Sequence, residues 1–416
     1  MSTGFERAVE KVVREGNCSG CGGCSMLSNR VEMRLRDGFM RPQFTHGALE
    51  SERNAAAAFR EVCPGRSMRA PDAGEFESHP TFGRYVSAWR AVAVDDEVRH
   101  RGSSAGVLTA LSTFIVEQKL APSVAGAAAS AASPTRTVPV TILTRNEALA
   151  AAGSRYAPVS VLRPDLGETT AVVGKPCEIS ALRRVRERAG QDEAAQPLTL
   201  SFFCAGVPSQ DATNRLIVLL GADVDDVTDL AYRGDGWPGY FRVNTRDSSE
   251  RLSYEESWGA HLGKDLQWRC KVCPDGTGAD ADVAVGDYWQ ADERGFPVFE
   301  NTAGVSVAIA RTSRGHALLL RAAAEGAIRL EPIDLEDVAR IQPLQVTRKR
   351  TLLGRLVGRR VAGRSIPSMK GYRLIRLAKP YAKKNLQAAR GTFERSLPRR
   401  VRAMARRVLE GRGKDG

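Results

Sequence analysis

The chemistry open to this 416-residue chain is concentrated in its eight cysteines. Three stand in NCSGCGGC (17–24), as Cys18, Cys21 and Cys24. A C-x-x-C-x-x-C run turns three thiolates toward one point, and the glycines between them let the backbone wrap a cluster and aim N–H groups at sulfur. The bacterial ferredoxin spacing asks for a fourth cysteine where this chain has Ser28; Cys63, followed by Pro64, is a separated cysteine able to complete a [4Fe–4S] site. Structural zinc is the competing reading of these four thiols. A second pair, Cys270 and Cys273, lies in WRCKVCPDGTGADADVAVGDYW (268–289), and Cys177 and Cys204 are the two cysteines left over. Taken singly, each of those two also reads as a buried small hydrophobe. Eight thiols would suffice for four disulfides in a secreted protein. The chain opens without the charged and apolar regions of a secretory signal, so clustered C-x-x-C spacing favours metal or Fe–S chemistry and a cytoplasmic location.

The elements that must position these residues alternate. Val31–Leu35 and Phe39–Phe44 flank Asp37-Gly38 as a hairpin, which makes residues 14–66 a small ferredoxin-like module. Strands are expected at 86–94, 124–129, 138–143, 169–173, 198–203 and 282–285, and helices at 107–118, 145–152, 178–189 and 211–220. The body is therefore α/β (α+β). Cys177 opens a helix after the strand and turn AVVGKP (171–176), and Cys204 ends the strand LTLSFF (198–203). Strand ends are where such folds place their sites. Arg101–Gly106 leads into a helix, and small residues at a helix start suit a phosphate, with Ser103, Ser104 and Thr109 as hydroxyl donors. An ordinary capped turn is the plainer reading. The stretches GSRYAP (153–158) and YRGDGWPG (232–239) combine glycines that permit close approach with Tyr156 and Trp237, which can stack on a flat ligand.

Together these motifs resemble the coenzyme F420 hydrogenase/dehydrogenase beta-subunit family. The resemblance is carried by GSSAGVLTAL (102–111), GSRYAP (153–158), VGKPCEISALR (173–183), FFCAGVPS (202–209), YRGDGWPG (232–239) and CKVCPDGTGADADVAVGDYW (270–289). The family includes flavoproteins that pass electrons between Fe–S clusters, FAD and a substrate. That substrate is the deazaflavin F420 in some members and a chlorophyll-type tetrapyrrole, as in 7-hydroxymethyl chlorophyll a reductase, in others. The resemblance implies an inner [4Fe–4S] cluster on Cys177, Cys204, Cys270 and Cys273, and an outer one on Cys18, Cys21, Cys24 and Cys63. It implies FAD near Ser103, Ser104, Gly106, Thr109, Tyr156, Lys175 and Trp237. Lys175 departs from the small or hydroxyl residue associated with its position. Electrons are expected to enter at the outer cluster and reach a two-electron substrate through the flavin, with ferredoxin or another redox protein as donor. His100 and His261 are the histidines considered as proton donors.

Net charge is +13 and unevenly spread. From Gln345 to Gly416 there are 22 Lys and Arg against 3 Asp and Glu, while the remainder carries 39 basic and 45 acidic residues. Three units follow: a ferredoxin-like module over 1–85, the FAD and Fe–S domain over 86–344, and a basic helical tail over 345–416. Residues 352–361, 372–377 and 401–409 read as basic amphipathic helices suited to an anionic membrane surface on the inner face. Nucleic acid ranks lower because Leu, Val and Met lie opposite the charges, and a solvated extension packed on the body is the plainer reading. Other readings of the whole chain are a noncatalytic electron-transfer subunit, an accessory reductase in cell-surface polysaccharide synthesis, and a zinc-stabilised binding protein.

Overall fold

The computed structural model describes residues 2–45, 54–192, 195–289, 291–293, 295 and 304–397. The chain opens with α1 (Gly4–Arg14), the hairpin β1 (Val31–Arg36) and β2 (Phe39–Phe44), α2 (Ala55–Val62) and β3 (Ser67–Arg69). Thr3 and Glu6 cap α1 reciprocally, satisfying N–H groups that the first turn leaves without partners. Arg36 pairs with Phe39, so Asp37 and Gly38 form a two-residue turn, both at positive φ, as a hairpin twisted with its strands requires. Phe5, Val9, Val12, Val31 and Phe59 make this unit's core, with Cys18, Cys24 and Cys63 packed against it.

A second small hairpin, β4 (Glu77–His79) and β5 (Gly83–Tyr85), leads into the body. There follow β6 (Ser87–Ala93), α3 (Asp96–Arg101), α4 (Val107–Glu117), β7 (Val124–Ala129), β8 (Thr137–Ile142), α5 (Arg145–Ala150), β9 (Ala171–Gly174), α6 (Pro176–Arg188), β10 (Thr199–Phe202) and α7 (Gln210–Leu219). A three-stranded sheet of β11 (Asp229–Ala231), β12 (Tyr240–Asn244) and β13 (Ser249–Ser253) precedes the short helix α8 (Trp268–Lys271). The body ends with β14 (Val283–Tyr288), β15 (Val305–Ala310), α9 (Ser313–Ala324) and β16 (Ile328–Pro332).

Eight strands form one mixed sheet in the order β16-β6-β15-β14-β10-β9-β7-β8. β7, β9, β10 and β14 are mutually parallel, and β6 runs with them because β6 and β14 are both antiparallel to β15. Their carboxyl ends therefore share one edge, where α/β folds gather functional loops. Helices cover the sheet, so its central strands read as small apolar runs and not as alternation; β14 buries Val283–Gly286 in succession. Leu111, Ile115, Leu200 and Val283 are fully buried in the main core, each worth roughly 1.5–3 kcal/mol of removed apolar surface. The alanine-rich strand 124–129 forms despite its composition, because it is paired on both sides.

The stretch after residue 344 differs from a free tail. α10 (Leu335–Ile341) and α11 (Pro343–Arg350) lead to α12 (Leu352–Val361), β17 (Ser368–Lys370), α13 (Leu374–Ala378) and α14 (Ala382–Ser396). Leu352 and Leu356 pack on Val272 and Trp268. β17 pairs in parallel with β3, Asn17 donates to Ser365 at 2.8 Å, and Arg359 donates to the Glu15 carbonyl. The physical reason is that Leu352 and Leu356, on the first of the expected amphipathic helices, find apolar partners on the body. The helix expected at 401–409 lies outside the described residues.

Candidate redox site

Cys18, Cys21, Cys24 and Cys63 line one small cavity together with Phe59, Val9 and Val12 of the N-terminal unit. None of the eight cysteines is in a disulfide. The loop carrying the first three packs closely on α6: a Cβ added at Gly23 would meet the Ala181 Cβ at 2.8 Å. Burial pushes the Cys24 thiol well up, and the charges of Cys21, Cys18 and Cys63 push it further. Buried thiols that repel one another's charge become thiolates only with a cationic group among them, which is what an Fe–S cluster supplies.

The second set gathers at the carboxyl edge. Cys177 sits in the first turn of α6, directly after β9, and Cys204 follows β10. Cys270 is in α8, and Cys273 follows it by three residues. Burial raises Cys204 to about 12, with Cys270 adding to the effect and Arg348 opposing it. Cys177 packs against the apolar cluster that holds Cys21, so the two sets adjoin there. The donor chemistry and burial fit two Fe–S clusters. Among the described residues no three His, Cys, Asp or Glu side chains converge as ligands of one metal ion.

One short segment spans the two sets. The Gln267 amide Nε2 donates to the Ser19 carbonyl oxygen at 2.8 Å and stands 3.4 Å from Cys270 Sγ. Two residues on, Arg269 donates to the carbonyl of Pro64 at 2.9 Å and to that of Val272 at 3.3 Å. Both lie in or beside the central stretch read from the sequence, but spacing alone gives no sign of a contact with residues 19 and 64.

Beyond the cysteines, four loops converge. Ser154 donates to Ser103 at 2.7 Å, Ser104 donates to the Val305 carbonyl at 2.9 Å, and the Gly236 N–H donates to the His100 carbonyl at 3.0 Å. α4 starts at Gly106, in the left-handed region, without a side-chain cap, and Thr109 is half-buried in its first turn. Arg233 donates to Asp287 at 2.7 Å and to the Tyr156 hydroxyl at 3.4 Å, and its guanidinium lies 4.9 Å from the Tyr254 ring centre. Burial works against the Arg233 charge, but Asp287, then Tyr156 and Tyr254, carry it well above the ordinary guanidinium value. Burial, reinforced by Tyr156, keeps the Tyr254 phenol protonated far above its usual range. The cluster offers a fixed positive charge at Arg233 and a protonated phenol at Tyr254 beside the Asp287 carboxylate. Tyr254 lies in SYEESW (253–258), which carries no sequence signal.

Of the expected residues, Lys175 is placed differently from the reading of the sequence. The Lys175 ammonium is buried and donates to Glu178 at 2.5 Å and to the Val159 carbonyl at 2.8 Å. It thus braces the turn before Cys177 in place of reaching outward to a ligand. His100 and His261 are both exposed to solvent. Trp237 is buried, at 7% exposure.

Two family models describing the coenzyme F420 hydrogenase/dehydrogenase beta subunit match this chain, the model of its N-terminal part over residues 88–164 and the model of its C-terminal part over residues 167–336. The chain is 25% identical, over 301 residues, to a protein of Methanococcus voltae named coenzyme F420 hydrogenase subunit beta, covering 69% of this chain and 99% of that protein. It also matches a chain in a solved structure, the xenon-derivatised F420-reducing [NiFe] hydrogenase complex of Methanosarcina barkeri. That match has 21% identity and a TM-score of 0.48, covering 66% of this chain and 95% of that one. The chain belongs to the coenzyme F420 hydrogenase/dehydrogenase beta-subunit family.

Proposed function

We propose that this member of the beta-subunit family is a flavin-dependent Fe–S oxidoreductase linking a ferredoxin-like one-electron carrier to a two-electron substrate such as coenzyme F420. The observation that carries this reading is that Cys18, Cys21, Cys24 and Cys63 line one cavity, and that Gln267 links the Ser19 carbonyl of that cysteine loop to Cys270 Sγ of the second pair. Cys18, Cys21, Cys24 and Cys63 would hold an outer [4Fe–4S] cluster and Cys177, Cys204, Cys270 and Cys273 an inner one. FAD would lie against Ser103, Ser104, Gly106, Thr109, Tyr156 and Trp237, with its phosphates at the uncapped start of α4. Clusters move single electrons and a flavin exchanges one for two. The chain's own task is to hold the groups apart at fixed spacing, to exclude water, and to keep the phenolic proton of Tyr254 beside the Arg233 charge, with Tyr156 bonded to the same guanidinium.

Anaerobic purification with iron, sulfide, zinc and flavin quantification tests this. About eight irons and one flavin per chain are expected; zinc without flavin would overturn the reading. A second reading, an electron-transfer subunit of a larger complex, is favoured by the name of the Methanococcus voltae relative, a hydrogenase subunit. Reduction of F420 by the isolated, loaded protein supports the first reading; electron delivery only to a partner protein supports the second.

No helix of the described residues is long and apolar enough to cross a membrane. Ile375 and Leu386 are exposed on α13 and α14 among Arg376, Lys379, Lys383 and Lys384, which supports a cytoplasmic protein resting on an anionic membrane surface. Liposome sedimentation with and without residues 372–416 tests this, and equal sedimentation removes it.

A further inference from the structure

A cavity of about 370 Å³ opens at the sheet edge opposite Cys177 and Cys204, where Thr199 starts β10 and Asp282 precedes β14. Arg183, Arg186 and Arg314 line it together with four carboxylates. Arg183 donates to Glu187 at 2.8 Å and to Asp280 at 3.4 Å. Arg314, at the start of α9, grips Asp282 through Nε at 2.6 Å and Nη2 at 2.7 Å. Asp282 also accepts from the Thr199 N–H and from the Thr199 and Thr312 hydroxyls. Asp192 is exposed on the rim, where water and salt screen it.

Arg186 differs from the other two. It is 5% exposed, it makes no ion pair among the described residues, and its one side-chain hydrogen bond there runs from Nη1 to the Pro197 carbonyl at 3.1 Å. Arg314 donates to the same oxygen from Nη2 at 3.5 Å. Two guanidiniums thus share one carbonyl, and Asp282 is the only carboxylate bonded to either. A carbonyl solvates a guanidinium without neutralising it, and a buried cation lacking a counter-ion is costly. Arg186 lies in the last turn of α6, whose carboxyl end supplies about half a negative charge. Part of its charge is met there and part is not.

We propose that this cavity binds the phosphate group of a small anion between Arg186 and Arg314. Guanidinium N–H groups match phosphate oxygens in pairs, and the bond is strengthened by both charges. The Gln191 amide lines the same cavity and can hold the rest of the ligand. A volume of about 370 Å³ lies within the range of small-molecule pockets and exceeds what a bare phosphate fills, which favours a phosphate monoester. Helix α6 opens at the turn of Cys177 and closes at this cavity, so the ligand sits at the far end of the element that carries that thiol. Binding here needs neither iron nor flavin, and its failure leaves the redox reading untouched.

The test is isothermal titration calorimetry of the full-length protein with inorganic phosphate and with glycerol phosphate, at fixed ionic strength. A single saturable site is expected, weakened by about tenfold or more in Arg186→Gln through loss of a charge-assisted bond, and partly kept in Arg186→Lys. Lys383→Gln, on the exposed face of α14, is expected to leave it unchanged. Tighter binding of the monoester assigns the cavity to a phosphorylated small molecule, and equal binding assigns it to free phosphate; both support the site. No saturable binding, or Arg186→Gln binding as the wild type does, overturns it. If Arg186→Gln does not fold, hydrogen exchange of the wild type decides: added phosphate should slow exchange across residues 183–188 and 196–201, and unchanged exchange there overturns the site.

Discussion

The side chain of Gln267 joins the Ser19 carbonyl across 248 residues of chain, at 2.8 Å, within the loop that carries Cys18 and Cys21. Gln267 is 4% exposed, so water cannot readily replace the bond. Gln267→Leu leaves the Ser19 oxygen buried without this donor, at a cost of about 1–3 kcal/mol. The expected result is a lower melting temperature and faster loss of about half the iron on exposure to chelator. Iron release at the wild-type rate would show that the bond does not hold the outer loop.

On the proposed two-cluster reading, Cys270→Ser removes one inner ligand and leaves the outer four untouched. Iron is expected to fall from about eight to about four per chain, with flavin retained and flavin reduction by a one-electron donor slowed at least tenfold. Normal iron and normal flavin reduction would remove Cys270 from the cluster.

Asp287 is the carboxylate matched to the buried Arg233, whose side chain is 4% exposed against 25% for Asp287. Asp287→Asn strands the guanidinium, which costs about 3–5 kcal/mol for a buried pair. Combining it with Arg233→Met should recover a large part of that loss, because the two effects share one interaction. Urea denaturation of both single variants and the double variant measures this; strict additivity would mean that the pair is not coupled.

Burial pulls the Lys349 ammonium down to about 8, with the charge of Asp275 opposing the shift. A lysine whose folded value lies below its unfolded value binds fewer protons folded than unfolded between the two, so stability rises with pH there. The burial penalty is full below pH about 8 and fades toward about 10.4, the ordinary lysine value. Lys349→Met removes it, so the variant-minus-wild-type difference in melting temperature should shrink as pH rises through this window. A difference that stays flat would mean that Lys349 keeps its proton throughout.

Much of the body is legible in the sequence because its signals are local. The Asp37-Gly38 turn, the strand ends before Cys177 and Cys204, and the C-x-x-C spacings each depend on neighbours within a few residues. The expected helices at 145–152, 178–189 and 211–220 appear with shifts of one or two residues. The antiparallel strands β15 and β16 are harder, since short apolar runs such as VSVAIA fit a buried strand or a helix segment equally well. Contacts made over long sequence distances leave no local mark. Tyr254 beside Arg233, Arg269 at Pro64 and Arg348 at Cys204 all belong to that class. The basic composition of the C-terminal stretch is also misleading. Arg348, Arg355 and Arg359 turn their charge onto the carbonyls of Cys204, Lys271 and Glu15, and Arg359 lies 4.2 Å from the Trp268 ring centre.

The pairing of Ser67–Arg69 with Ser368–Lys370 has a consequence for how the protein is made. A strand that begins just past Pro64 must wait for a partner about 300 residues downstream. During synthesis the first cysteine loop leaves the ribosome long before Ser368–Lys370 follows it. The seam between the N-terminal unit and the C-terminal stretch is therefore among the last contacts to form, made only once every strand of the eight-stranded sheet has been synthesised.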